Sequence, residues 1–202
     1  AYLLVFCSSS SMSGGGDLSK ISVSVRVRPL NERERRTGQS EVWRCNGKSI
    51  FQCNASGRPL PSCTYTFDNI YEHDATSEQV YVDTAQGIVR AACEGFNGTI
   101  FAYGQTSSGK TFTMYGSAEQ KGVIPLAVEE TFDLISSNPN REFLLRVSFL
   151  EIYNEIIRDL LSSTGDSLKI HEDLERGVFV GDLTEEVVMC PEQVYELMKQ
   201  GE

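Results

Sequence analysis

Residues 104–111 read Gly104-Gln105-Thr106-Ser107-Ser108-Gly109-Lys110-Thr111, a G-x-x-x-x-G-K-[ST] string whose residue types suit one task, the holding of phosphate. The glycines let backbone N–H groups curl around phosphate oxygens that a Cβ would obstruct. Lys110 is expected to reach the β- and γ-phosphates of a nucleotide as a point charge, and Thr111 to place its hydroxyl on Mg²⁺. A helix opening at the lysine would add its positive N-terminus. Nothing in the loop separates ATP from GTP.

Turnover of a nucleotide needs more: an acidic residue after an apolar strand to hold Mg²⁺, often through water, and a group that orients the attacking water. Asp182 follows Val178-Phe179-Val180-Gly181, and Glu151 follows Ser148-Phe149-Leu150. Asp182 reads more simply as a loop aspartate between two surface strands, and Glu151 is the weaker candidate. The hydrolytic half of a site is not evident in these residues.

A phosphate loop works only if a strand delivers it and a helix leaves it. Residues 99–103, after the turn at Asn97-Gly98, read as that strand, with Tyr103 packing the sheet. Upstream, Ile21, Val23, Val25 and Val27 alternate with Ser22, Ser24, Arg26 and Arg28, the period of a strand, which Pro29 closes. Residues 42–45 and 48–51 flank Asn46-Gly47, a hairpin dipeptide, and 64–67 form another short strand. Thr76 with Gln79 three positions later is a capping box that opens one helix over 77–93. Residues 125–136 predict a helix with Pro125 first, and 142–153 a long buried strand. Short strands at 168–171, 178–180 and 184–188 precede a helix from Pro191. The alternation defines an α/β class, a P-loop NTPase-type mixed sheet, mainly central, with helices on both faces.

The 202 residues are 40% hydrophobic, enough for one core or part of one. Eighteen basic against 28 acidic residues give a net charge of −10, which argues against nucleic acid and against an anionic membrane surface as partner. No apolar stretch has the length of a membrane span. The six cysteines show no C-x-x-C pair, and His73 and His171 stand outside ligand spacing, so reduced thiols are expected and a zinc site is not. Residues 1–19, with Ser8 to Ser11 and Gly14 to Gly16, read as a disordered low-complexity leader in which Met12 is the expected true start. Residues 20–202 read as one incomplete domain.

Three segments together resemble the kinesin motor family: Val25-Arg26-Val27-Arg28-Pro29-Leu30-Asn31, residues 98–114 around the phosphate loop, and Phe149-Leu150-Glu151-Ile152-Tyr153-Asn154-Glu155 with Asp159-Leu160-Leu161. The phosphate-loop wording is similar to that of the centromere-associated mitotic kinesins. The resemblance implies an ATP-driven microtubule motor using ATP and Mg²⁺, located in the cytoplasm on the cytoskeleton, with spindle or kinetochore as further possibilities. It implies that Arg26, Arg28 and Pro29 pack against adenine and ribose and that Phe112 covers the base from the other side. Residues 171–181 resemble the hairpin that approaches the microtubule, where tubulin's acidic surface would meet Arg176 alone among Glu172, Asp173 and Glu175.

The family's two switch motifs, its main track-binding helix and its neck linker are expected after Glu202. On that expectation these residues bind nucleotide without hydrolysing it. Dimerisation in a full-length protein would use a coiled coil not encoded here. A non-hydrolysing nucleotide-binding fragment and another P-loop phosphotransferase are the alternatives, although the latter leaves the R-x-R-P strand unexplained.

Overall fold

The computed structural model describes residues 3–10, 21–165, 167–174 and 177–201. The chain divides into two compact units, Ala1–Leu134 and Ile135–Glu202. The first contains β1 (Leu3–Ser10), β2 (Ser22–Val27), α1 (Glu32–Arg36), β3 (Trp43–Asn46), β4 (Ser49–Cys53), β5 (Pro59–Thr66), β6 (Asn69–Tyr71), α2 (Ser77–Thr84), α3 (Gln86–Cys93), β7 (Gly98–Tyr103), α4 (Lys110–Met114) and most of α5 (Val123–Ser136). A four-stranded sheet runs in the order β6-β2-β1-β7, with β2 parallel to β6 and β1 antiparallel to both neighbours. A separate antiparallel sheet, β3-β4-β5, stands beside it in sequence.

β1 departs from the leader reading of residues 1–19. Its backbone pairs Leu3 with Val27 and Val5 with Tyr103, so β1 lies between β2 and β7 in the sheet. The run Leu3-Leu4-Val5-Phe6-Cys7 has the composition that favours a strand, and the serines that suggested low complexity occupy its end. Met12 and Gly14 to Gly16 lie outside the described residues.

The alternation at 21–28 does make a strand, but not a half-solvated one. Ser24, Val25 and Arg26 are all buried, so β2 is covered on both faces. The Asn46-Gly47 hairpin forms with Asn46 opposite Ser49 and Gly47 at φ 55°. Thr76 and Gln79 close their capping box, Thr76 Oγ1 accepting from the Gln79 N–H and Gln79 Oε1 from the Thr76 N–H. The helix they open ends at Thr84, however, and a second begins at Gln86. Thr84 Oγ1 donates to the Val80 carbonyl, a back-bond that bends helices, and the fully buried Ala85 marks the break.

The core of this unit joins Tyr71, Val80, Tyr81, Ala85, Val89 and Val123, with Ile100 and Ala102 of β7 against it. Glu130 on α5 crosses to α2 and α3: it accepts from Tyr81 Oη (2.5 Å), Gln86 Nε2 (3.0 Å) and Arg90 Nε (2.7 Å). Burial works against that charge, but these bonds outweigh it and hold the carboxyl below its ordinary range. α5 starts two residues ahead of Pro125, so the proline sits inside its first turn.

The second unit contains β8 (Arg146–Val147), β9 (Leu150–Tyr153), β10 (Ile156–Asp159), β11 (Ser167–Leu168), β12 (Ile170–Asp173), β13 (Gly177–Val180), β14 (Glu186–Val187) and α6 (Pro191–Gly201). The long buried strand expected over 142–153 is instead two short strands in different sheets. Arg146 and Val147 pair with β14, whereas residues 150–153 turn back on β10. Asn154 (φ 48°) and Glu155 (φ 63°) make that reversal, both left-handed as a two-residue type I′ turn requires. Ile152 and Tyr153 are consequently exposed.

One close approach fixes the exit from α4. A Cβ on Gly122 would stand 2.5 Å from the Met114 carbonyl oxygen and 2.6 Å from the Gly116 nitrogen. Both are backbone atoms, which cannot step aside as a side chain can. We predict that Gly122→Ala lowers the unfolding free energy by about 1–3 kcal/mol, read from urea denaturation. A midpoint unchanged from wild type would contradict this packing.

Candidate functional site

β7 hands the chain to the loop at Gly104, and the loop then folds into a tight turn. The Ser108 N–H donates to the Gln105 carbonyl (3.1 Å), and Ser107 between them sits at φ 65°. An L-residue there costs roughly 1–2 kcal/mol, which surrounding contacts must offset. Gly109 follows at φ 102°, where glycine carries no such cost, and its carbonyl accepts from the Thr113 N–H (2.9 Å) to start α4. α4 is a single turn and a half rather than a long helix.

Lys110 Nζ donates to the Gly104 carbonyl (2.6 Å) and to the Gln105 carbonyl (2.9 Å). An ammonium has three N–H donors, so one more can be offered to an anion. Ser108 Oγ is buried, its residue only 2% exposed, and has no hydrogen-bond partner among the described residues. Buried hydroxyls are nearly always bonded, and an orphan inside a loop of this kind fits a ligand oxygen. Thr111 and Thr106 are exposed.

Beside the loop lies a cavity of about 300 Å³ lined by Arg26, Arg28, Pro29, Ser108, Gly109 and Phe112 on one part of its wall. That volume is at the lower end of small-molecule sites. Val27, His73, Asp74, Ala75, Thr76, Thr113 and Gln120 complete the wall, and the sequence reading did not include them in the site. His73 to Thr76 precede α2, and proximity to the cavity is a tertiary fact that no local pattern carries.

The two arginines of β2's R-x-R end do different things. Arg26, 8% exposed, donates through Nη1 to Ser77 Oγ and Thr113 Oγ1 (3.0 Å each) and through Nη2 to the Ala75 carbonyl (2.9 Å). Its guanidinium carbon stands 5.3 Å from the centre of the Phe112 ring, a cation–π distance. Arg26 therefore fixes the start of α2, the body of α4 and the ring that faces the cavity. Arg28 clasps Glu34 with both terminal nitrogens (2.8 and 2.7 Å), and its Nε donates to the Ser107 carbonyl (2.8 Å). The Arg28 hydrogen bond, with that of the Asn31 N–H, holds the Glu34 carboxyl well down, at about 2, against the cost of burial. Both charges face protein groups, and both arginines still contribute wall to the cavity.

Gly104 to Thr111, Arg26, Arg28, Pro29 and Phe112 thus come together in the first unit. The candidate acids, Glu151 and Asp182, belong to the second unit. Glu151 on β9 pairs across the strand with Arg158 on β10 (3.5 Å). Asp182 takes φ 57° in the loop after β13 and lines a different cleft, with Asp159, Ser162, Lys169 and His171. Tyr103 is 70% exposed, not packed into the sheet. Arg176 lies outside the described residues. Sequence reasoning missed Glu34 and α1, although Asn31-x-x-Glu34 is the same kind of capping box as Thr76-x-x-Gln79.

A strand running into a G-x-x-x-x-G-K-T loop, in a mixed sheet flanked by helices, defines a P-loop nucleotide-binding fold. Residues 26–202 match the family described as the kinesin motor domain, and the chain belongs to that family. It is 46% identical over 192 residues to kinesin-like protein KIN-7L of Oryza sativa subsp. japonica, covering 92% of this chain and 30% of that protein. It is 50% identical over 185 residues to kinesin-like protein KIN-7O of Arabidopsis thaliana, covering 92% of this chain and 14% of that protein. A solved structure of a fast kinesin aligns with a TM-score of 0.80 and 35% identity over 88% of this chain and 51% of its own. The chain therefore spans less than a third of these two relatives. Family membership sets aside the alternative of another P-loop phosphotransferase.

Removing the Arg26 hub should be visible as lost stability. Arg26→Met leaves Ser77 Oγ, Thr113 Oγ1 and the Ala75 carbonyl without their donor, and we predict a loss of about 1–3 kcal/mol, measured by urea denaturation. A smaller loss than for an exposed Arg44→Met control would show that the hub does not hold these elements.

Proposed function

We propose that the first unit binds Mg·ATP as the nucleotide-holding part of an ATP-driven microtubule motor. The observation that carries the reading is the loop itself, where Ser108, whose buried hydroxyl is an orphan among the described residues, lines a cavity and Lys110, two residues on, has a donor to spare. Backbone N–H groups of residues 104–111 and Lys110 would take the phosphates, and the Thr111 hydroxyl would hold Mg²⁺. Pro29 and Phe112, which line one cavity, would flank the base, a contact worth on the order of 1 kcal/mol beyond its area.

Microtubule binding, movement along the cytoskeleton and dimerisation of a longer protein rest on the family, and the centromere-associated likeness would place the track on the spindle or kinetochore. Among the residues present, Arg176 is the candidate contact with tubulin. Within the second unit, Glu151 is paired with Arg158, and Asp182 lines a cleft with Asp159, Lys169 and His171. Binding without turnover by these 202 residues is part of the proposal.

Two measurements test this. Titration of the purified chain with a fluorescent Mg·ADP analogue should saturate, and Lys110→Ala should weaken it at least about tenfold, as loss of a charge-assisted contact does. Phosphate release from Mg·ATP should stay at blank with and without microtubules. Absence of saturable binding would overturn the nucleotide reading, and release above blank would overturn the lack of turnover.

A further inference from the structure

The phosphate loop keeps its shape with help from a residue three positions into α1. Asn31 caps that helix: its Oδ1 accepts from the Glu34 N–H (2.9 Å), and Glu34 Oε2 accepts from the Asn31 N–H (2.7 Å). The Glu34 side chain is thereby fixed before it meets Arg28. The carboxylate then takes both terminal nitrogens of Arg28 in a fork, the pairing geometry that leaves a guanidinium least freedom. With the fork held, the remaining Nε–H points at the Ser107 carbonyl.

That carbonyl belongs to a planar peptide whose other end is the Ser108 N–H, already donated to the Gln105 carbonyl. The Ser107–Ser108 peptide is therefore held from both ends. The Gln105 carbonyl is also one of the two that receive Lys110 Nζ. A continuous set of contacts thus runs from Glu34 through Arg28 to the left-handed Ser107 and on to the lysine.

We propose that Glu34 is a positioning residue that, through Arg28, locks the Ser107–Ser108 peptide and so presets the phosphate loop and Lys110 for an anion. This rests on the nucleotide reading for what the loop receives, but the lock is a property of the free chain. Glu34→Gln keeps the size and removes the charge that clasps Arg28. Amide hydrogen exchange of the segment 104–109, measured on the nucleotide-free chain, should accelerate about tenfold or more, and Mg·ADP analogue affinity should fall by a similar factor.

Glu130→Gln is the control, since it breaks a carboxylate network on α5 in the same unit without touching Arg28. It should lower stability while leaving exchange at 104–109 unchanged. If Glu34→Gln fails to fold, Arg28→Lys keeps the positive charge but removes the Nε donor, and the same acceleration is expected. Loop exchange at the wild-type rate, or raised no more than in the Glu130→Gln chain, would overturn the proposal. A wild-type chain that does not bind the Mg·ADP analogue would overturn the nucleotide reading alone, with the exchange measurement still deciding the lock.

Discussion

A guanidinium inside a sheet is tolerable only where nearly every donor is matched, and the placement of Arg26 follows from that requirement. β2 is buried on both faces, so the side chain cannot escape to water. Its partners must come from other elements: Ser77 at the first turn of α2, the carbonyl of Ala75 just before it, and Thr113 in α4. Satisfying one charge thus fixes the relative positions of a strand and two helices. Phe112, next to Thr113, is brought under the same guanidinium, which orients an aromatic ring that would otherwise have no fixed place at the edge of a cavity.

Arg28, two residues on, lies on the same side of the strand but meets a different environment, because β2 has ended and α1 follows. Its charge is matched by a carboxylate rather than by hydroxyls, and its reach is toward the phosphate loop rather than toward α2. The R-x-R spacing therefore yields two braces with one strand period between them, one for the helices and one for the loop. Pro29 ends the strand, and its carbonyl takes a further Arg28 N–H (2.7 Å), so even the residue that closes β2 is tied into the second brace.

What could be read in advance was what depends on neighbours in sequence. The phosphate loop, the alternation of β2, the Thr76-x-x-Gln79 box, the Asn46-Gly47 hairpin and the helix from Pro191 are all local signals, and all form. The single helix over 77–93 failed because one hydroxyl, that of Thr84, takes a backbone carbonyl inside the turn. The single strand over 142–153 failed because an apolar run does not say which strand it will pair with, and here it pairs with two. In the site, residue types were legible but their protein partners were not: the resemblance implies that the arginines pack against a nucleotide, and both line the cavity, while the groups their charges meet, Glu34, Ser77 and Thr113, come from other elements. α1 was legible and unread, since Asn31-x-x-Glu34 carries the same signature as the box at Thr76.

The position of β7 explains why the loop needs these braces. Among the described residues β7 is the last strand in its sheet, hydrogen-bonded to β1, and Phe101 and Tyr103 on it are exposed. Strand ends at a sheet edge fray more readily than central ones, because one row of backbone groups is unpaired. A loop leaving such a strand cannot take its precision from the sheet. It takes it instead from α3, whose Ile88 approaches Gly98 so closely that a Cβ there would lie 2.2 Å from Ile88 Cγ2, and from Arg28 on the Ser107 carbonyl. The first contact holds the strand where it begins, and the second holds the loop beyond its end. Between them these two contacts hold the stretch that carries a left-handed serine and a buried hydroxyl without a partner among the described residues.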